Sequence, residues 1–205
     1  LVRLALPLAL LPTLASATPP AGTELGNPTE AIVETAFDED SDAVRKGELV
    51  GWKAGLGEWQ VQDGALAGRE LEEDNHASSL TYKFTATDIA FSGEVRLGGA
   101  GKVAIALRDT EDRGFHLARL YLKENKIWIQ HMTGIGPSTT SEIIAEEKVD
   151  LDPDEWYDVT IEVVGDTYRA QIGREEIEAE HERFADEKGI IALAVSYTHL
   201  TLPTN

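Results

Sequence analysis

Two short segments of the sequence combine residue types that transfer protons and hold anions. One is residues 74–77 (DNHA), and the other is residues 114–119 (GFHLAR). Histidine gains and loses a proton near neutral pH, whereas arginine stays positively charged. The two segments therefore supply candidate groups for proton transfer and for stabilising a negative charge.

Most familiar catalytic motifs are absent from the chain. It has no G-x-S-x-G, no H-E-x-x-H, no phosphate-binding GxxxxGK[ST] loop and no cysteine. The E-x-D-x-x-E motif of glucanases is also absent, because residues 155–158 (EWYD) have a different spacing. The sequence does not support a glycosidase with two carboxylates at that spacing. It predicts no cofactor and leaves a divalent metal open.

The elements that must position these residues have a period of two. Apolar and polar residues alternate along 157–163, and the pair Asp63-Gly64 predicts a type I′ turn between strands 57–62 and 65–70. Further strands are predicted at 79–84, 88–97, 102–108, 115–123, 126–132, 143–148, 155–164, 167–173, 176–181 and 189–194. This pattern predicts an all-β fold of two packed antiparallel sheets, a sandwich or jelly roll, with a closed barrel as the alternative.

The spacing of His116 and Arg119 raises a geometric problem. Successive side chains of a strand point to opposite faces, so residues three apart do not share a face unless a bulge intervenes. The two residues can act together only if that strand is irregular.

The net charge of the chain limits the kinds of partner that it can bind. Its 18 Lys and Arg residues oppose 37 Asp and Glu residues, for a net charge of -19. Such a charge repels phosphate backbones and anionic lipids, so we expect no nucleic-acid partner. A carbohydrate partner is compatible with it, and the oligomeric state is open.

The first 34 residues have the features of an export signal followed by a linker. Arg3 precedes an apolar run at 4–14 and the cleavage pattern Ala-Ser-Ala at 15–17. We expect residues 1–17 to be a signal peptide, 18–34 a linker and 35–194 the domain. The mature protein would then be secreted or periplasmic, without membrane insertion.

The last eleven residues have a different character. Residues 195–204 (VSYTHLTLPT) can be back-translated into an adapter sequence used in DNA library preparation, so we interpret 195–205 as an artefactual tail. We therefore expect this tail to pack against nothing and the last strand of the domain to be missing.

Several segments together resemble a known family. They are 51–68 with its W-x-V-x-D-G pattern, 73–80, 114–119 and 155–166 (EWYDVTIEVVGD). They are similar to the secreted 3-keto-disaccharide hydrolase family of the concanavalin A-like lectin/glucanase superfamily, over about residues 37–193. The resemblance implies a concanavalin A-like β-sandwich that cleaves glycosides carrying a ketone at sugar carbon 3.

The resemblance also implies roles for particular residues. The ketone acidifies the proton on carbon 2, so a base, an enolate clamp and an acid are needed. We expect His76 as base, Arg119 as clamp, and His116 or Glu70 as acid. The expected substrate-binding residues are Asp74, Glu94, Arg96, Tyr121 and Trp128.

Other interpretations of the same residues remain open. His76 can simply cap a turn, and an aromatic residue in a strand such as Trp128 is often core. A non-catalytic carbohydrate-binding module would keep the aromatics and not need the histidines, and a surface interaction domain would need neither. A cleft that holds both histidines and Arg119 favours an enzyme, and a flat aromatic platform favours binding.

Overall fold

The computed structural model describes residues 2–3, 23–26, 28–110, 116–134 and 138–197. In these residues the regular structure is fifteen strands and two short 3₁₀ turns, at Glu72–Asp74 and Glu182–Ala185. In chain order the strands are β1 (Val2–Arg3), β2 (Gly47–Leu49), β3 (Trp52–Leu56), β4 (Glu58–Gln62), β5 (Ala65–Arg69), β6 (Ser79–Ala86), β7 (Ile89–Val95), β8 (Lys102–Asp109), β9 (His116–Lys123), β10 (Lys126–Thr133), β11 (Thr140–Lys148), β12 (Tyr157–Val164), β13 (Thr167–Ile172), β14 (Glu175–Glu180) and β15 (Lys188–Ser196).

The strands form two antiparallel sheets. The seven-stranded sheet has the order β14-β13-β12-β7-β1-β5-β4, and the eight-stranded sheet has the order β11-β10-β9-β8-β15-β6-β3-β2. Buried residues of both sheets form one hydrophobic cluster, for example Ile105 and Leu120 from the eight-stranded sheet and Val159 and Tyr168 from the other. The predicted all-β sandwich is confirmed.

Local sequence explains the strand boundaries. Asp63 and Gly64 have φ values of 53° and 70°, as a two-residue type I′ hairpin turn requires. The β4–β5 hairpin is therefore built as predicted. The short hairpin of β2 and β3 was not predicted.

Parts of the predicted signal peptide and of the predicted linker both contact the sandwich. Val2 and Arg3 form a two-residue strand between β5 and β7, in three registered pairs. Residues 4–17 of the predicted signal lie outside the described residues, so the signal stays a prediction. Within the predicted linker, the backbone N–H groups of Glu24, Leu25 and Gly26 donate to the buried Glu162 carboxylate at 2.7, 3.0 and 3.3 Å.

The end of β15 corrects the expectation that nothing packs after residue 194. Val195 is 2% exposed and pairs with Val103, and Ser196 pairs with Lys102. The backbone N–H of Ser78 donates to the Val195 carbonyl at 3.0 Å. Val195 packs because it continues the apolar alternation of the strand. Residues 198–205 lie outside the described residues, and the adapter origin of the tail stays a prediction.

Candidate functional site

The candidate site lies on the face of the eight-stranded sheet that points away from the core, here called the outer face. Ile105, Leu107 and Leu120 point into the core, so their neighbours along β8 and β9 point outward. Ala104, Tyr121 and Trp128 form a second, separate cluster on this outer face. They are cross-strand neighbours, since Tyr121 pairs with both Ala104 and Trp128.

A β-bulge in β9 solves the problem posed by the spacing of His116 and Arg119. Leu107 pairs with Ala118, but Arg108 pairs with His116, so Leu117 is an extra residue on β9. Leu117 is buried at 0% exposure. The bulge returns His116 to the face that carries Arg119 and Arg108. The two predicted residues therefore share a face.

An alanine and a glutamine flank Arg119 on this face. Its cross-strand neighbours are Ala106 on β8 and Gln130 on β10, and Ala106 pairs in turn with Ala192 of β15. Ala106 and Ala192 are only 3% and 5% exposed, so neighbouring side chains cover this part of the sheet. One guanidinium nitrogen donates to the Tyr121 hydroxyl, while the buried Nε has no hydrogen-bond partner among the described residues.

His116 is held in its neutral form. Burial, which is the largest cause, and the nearby Arg119, Arg108 and His76 together lower the pKa of its imidazole to about 2. Its Nδ1 is buried without a hydrogen-bond partner in the part of the chain that the structure describes. At physiological pH this imidazole donates and accepts hydrogen bonds but does not carry a transferable extra proton.

His76 lies in the exposed loop before β6 and has a defined tautomer. Its Nδ1 lies 2.8 Å from the Ala77 carbonyl oxygen. A carbonyl only accepts hydrogen bonds, so Nδ1 carries the proton and the neutral ring keeps a lone pair on Nε2. His76 is thus both a turn-stabilising residue and a ring with a free basic nitrogen.

Glu70 directly follows β5 and contacts the residue after the end of β15. Its Oε2 accepts the backbone N–H of Tyr197 at 2.8 Å. Burial lowers the pKa of Lys102, Arg119 and Lys123 lower it further, and Glu70 opposes them. Arg119 is within electrostatic range of both Lys102 and His116, and Glu70 is within range of Lys102. The sequence analysis did not predict Lys102 or the involvement of Arg108, whose positions depend on strand register.

The aromatic pair does not form an open platform. Tyr121 and Trp128 stack with centroids 4.5 Å apart and are only 7% and 8% exposed. The Lys102 ammonium lies 4.7 Å from the Tyr121 ring, and the Lys126 ammonium 4.8 Å from the Trp128 ring. These rings are therefore neither part of the main core nor free to stack broadly on a sugar.

Two predicted substrate-binding residues, Glu94 and Arg96, lie elsewhere, and a third, Asp74, has a structural contact in the loop that carries His76. Glu94 is in β7 of the seven-stranded sheet and pairs with Asp158, and Arg96 follows β7 and covers the Trp156 ring. The core separates this sheet from the outer face, so grouping these residues with Tyr121 and Trp128 is wrong. Asp74 accepts the Gly57 backbone N–H at 2.6 Å, a contact that fixes the loop.

The described residues contain no group of three or more His, Asp or Glu side chains that could hold a metal ion. They also contain no helix long and apolar enough to cross a membrane.

The fold of the protein is a β-sandwich of two antiparallel sheets. It is similar to the carbohydrate binding module CBM66 from Bacillus subtilis, with a TM-score of 0.55, 16% identity, and coverage of 72% of this chain and 92% of that one. It is also similar to a sialidase, with a TM-score of 0.53, 12% identity, and coverage of 77% of this chain but 14% of the sialidase. At such identities the likeness concerns the fold alone.

The chain belongs to the 3-keto-alpha-glucoside-1,2-lyase-like domain family, whose sequence profile matches residues 37–199. None of the curated proteins matches the chain significantly. The family agrees with the resemblance found in the sequence.

Proposed function

We propose that the outer face cleaves 3-keto-glycosides by removing the proton on carbon 2 and eliminating the aglycone. One observation carries this proposal: the bulge at Leu117 places His116 beside Arg119 and Arg108 on a single face. Three groups that can stabilise negative charge on oxygen thereby converge, as an enolate intermediate requires.

The chemistry proceeds in two steps. A base takes the carbon 2 proton, and the electrons of that C–H bond form the C2=C3 double bond of an enolate with its charge on the carbon 3 oxygen. The ketone then re-forms, the electron pair moves between carbons 1 and 2, and the C1–O bond breaks. The departing oxygen takes a proton from an acid, and water adds to the unsaturated sugar if the product is hydrolysed.

His76 and Arg119 take the roles suggested by their chemistry. The Nε2 of His76 accepts the carbon 2 proton, because its Nδ1 is already protonated and donates to Ala77. Arg119 stabilises the enolate oxygen through its guanidinium, whose buried Nε has no other hydrogen-bond partner among the described residues. Charge stabilisation is strong at such a site because the donor is partly shielded from water.

His116 acts as a neutral hydrogen-bond donor and not as the acid. An imidazole with a pKa of about 2 holds no extra proton near neutrality. Its N–H can still bind the carbon 3 oxygen beside Arg119, as neutral imidazoles do toward polarised carbonyls. Glu70 is then the candidate acid for the departing oxygen.

A non-catalytic carbohydrate-binding role is the second candidate function. It would use the Tyr121–Trp128 pair, but both ring faces are largely covered by each other and by lysine ammonium groups. The covered rings therefore favour the enzyme. We further propose export of the domain after removal of residues 1–17, on the strength of the Ala-Ser-Ala pattern at 15–17.

The proposal is tested by release of a chromogenic aglycone from a p-nitrophenyl 3-keto-α-glucoside. His76→Asn keeps a donor near the Nδ1 position but removes Nε2, so turnover should fall by about a hundredfold or more with the melting temperature unchanged. The matched control His181→Asn keeps the acceptor that binds the Arg183 N–H and lies away from the outer face, so it should keep wild-type turnover. Full activity of His76→Asn would remove the base from the mechanism. Wild-type protein that binds unoxidised glycan and turns over no 3-keto-glycoside would establish the binding module instead.

A further inference from the structure

Four lysines lie side by side at one end of the outer face. Lys126 pairs with Lys123 on one side and with Lys148 on the other, and Lys102 opposes Lys123 one position beyond the Val103–Leu122 pair. Paired residues of an antiparallel sheet point to the same face. The set Lys102, Lys123, Lys126 and Lys148, here called the lysine row, thus crosses four adjacent strands.

The rings of Tyr121 and Trp128 stabilise part of the charge at Lys102 and Lys126, but the row still places four like charges side by side. Neighbouring strands are about 4.8 Å apart, and like charges directly opposite each other destabilise a sheet. The chain has 37 Asp and Glu residues, yet in the described part of the chain the ion pair of the row is the one between Lys126 and Glu146, at 2.6 Å. Among the described residues no carboxylate forms an ion pair with Lys102 or Lys123.

The neighbours of the row connect it to the proposed catalytic groups. Lys123 is two residues beyond Tyr121 and four beyond Arg119 on β9, so the row lies about 13 Å from Arg119 along the strand. Burial and the charges of Arg119 and Lys123 lower the pKa of Lys102, whereas Glu70 raises it. Lys102 is therefore a partly buried cation with other cations nearby.

We infer that the lysine row binds anionic groups of an acidic glycan, so that the substrate carries carboxylates or sulfate esters beyond the sugar that is cleaved. This inference rests on the proposed function, because it places the rest of the substrate on the same face. An extended anionic chain can neutralise several lysines at once, and the strong negative charge elsewhere on the protein confines such a ligand to this face. Carboxylates and sulfates share this chemistry, and separate probes distinguish them.

The experiment measures binding of unoxidised tetrasaccharides to the full chain, so it needs no catalysis. The probes are tetragalacturonate, a sulfated tetrasaccharide from carrageenan and neutral maltotetraose. We expect one of the two anionic probes to bind at least about tenfold more tightly than the neutral one. Its affinity should weaken as the salt concentration rises from about 20 to about 200 mM, because this rise shortens the screening length from roughly 20 to roughly 7 Å.

Matched double variants locate the effect. Lys102→Gln with Lys123→Gln should remove the preference for the anionic probe. It should change the melting temperature little, because the relieved repulsion offsets the lost contact between Lys102 and Tyr121. Lys53→Gln with Lys83→Gln makes the same charge change on β3 and β6 of the same face and should keep the preference. Equal binding of anionic and neutral probes, an unchanged preference in the first double variant, or equally tight binding of duplex DNA would overturn the inference. A salt-sensitive preference without turnover of any 3-keto-glycoside would support the lysine row and refute the catalytic proposal alone.

Discussion

The neutral state of His116 gives a measurable pH dependence of stability. In the unfolded chain an ordinary imidazole binds a proton below about pH 6.5. In the folded protein His116 binds one only near pH 2, chiefly because it is buried. Between these values the unfolded state binds more protons, so this residue destabilises the fold progressively as the pH falls.

The size of this loss of stability follows from the part of the pH range that lies below the ordinary imidazole pKa. Each pH unit below about 6.5 costs about 1.4 kcal/mol, so lowering the pH from 7 to 5 should remove roughly 2 kcal/mol of the free energy of unfolding. His116→Gln cannot titrate and should lack this part of the loss. Other groups also titrate, including His131, whose pKa is lowered mainly by burial, so the difference between wild type and variant isolates His116.

Urea denaturation of both proteins at several pH values gives this difference directly. We expect wild type to lose roughly 2 kcal/mol relative to His116→Gln between pH 7 and pH 5. An NMR titration should also show a constant His116 ring shift over that range. A difference that does not change with pH, or a ring that titrates near its ordinary pKa, would refute the account of this residue as a neutral donor.

Three further substitutions or truncations test packing and processing. Tyr168→Phe removes a fully buried hydroxyl that has no hydrogen-bond partner among the described residues. The free energy of unfolding in urea should therefore stay the same or rise. A loss above about 1 kcal/mol would mean that the hydroxyl has a hydrogen-bond partner. Trp128→Ala truncates an 8% exposed ring and should cost about 3 kcal/mol in the same assay, and a cost near zero would show an unpacked ring. A chain that begins at Thr18 loses β1, which makes three registered pairs, so it should still unfold cooperatively, and N-terminal sequencing of the exported protein should find Thr18. An exported chain that begins at Leu1, or a truncated chain that does not fold, would contradict the signal peptide.

The fold was predictable because its determinants are local. The alternation at 157–163 and the Asp63-Gly64 turn each report on a few neighbouring residues. β15 extends past residue 194 because Val195 continues the alternation of apolar residues within β15 itself, whatever the origin of its codon. The hairpin of β2 and β3 is too short for its alternation to be distinctive.

The site was predictable only in its residue types. His76, His116 and Arg119 could be selected for their chemistry, but the bulge that aligns the last two depends on how β9 pairs with β8. Glu94 was placed with the wrong sheet because sequence gives strand positions and not strand order. The lysine row needed the register of four strands, which no single stretch of sequence contains.

Deuterium incorporation at carbon 2 tests the central claim most directly. A 3-keto-α-glucoside is incubated with the protein in D₂O, and the carbon 2 proton signal is followed by NMR before and after elimination. We predict that wild type exchanges this proton or eliminates the aglycone with deuterium drawn from solvent, and that His76→Asn slows both processes by about a hundredfold or more. A carbon 2 proton that stays at its uncatalysed exchange rate in the presence of wild type, with the glycoside intact and bound, would contradict the account.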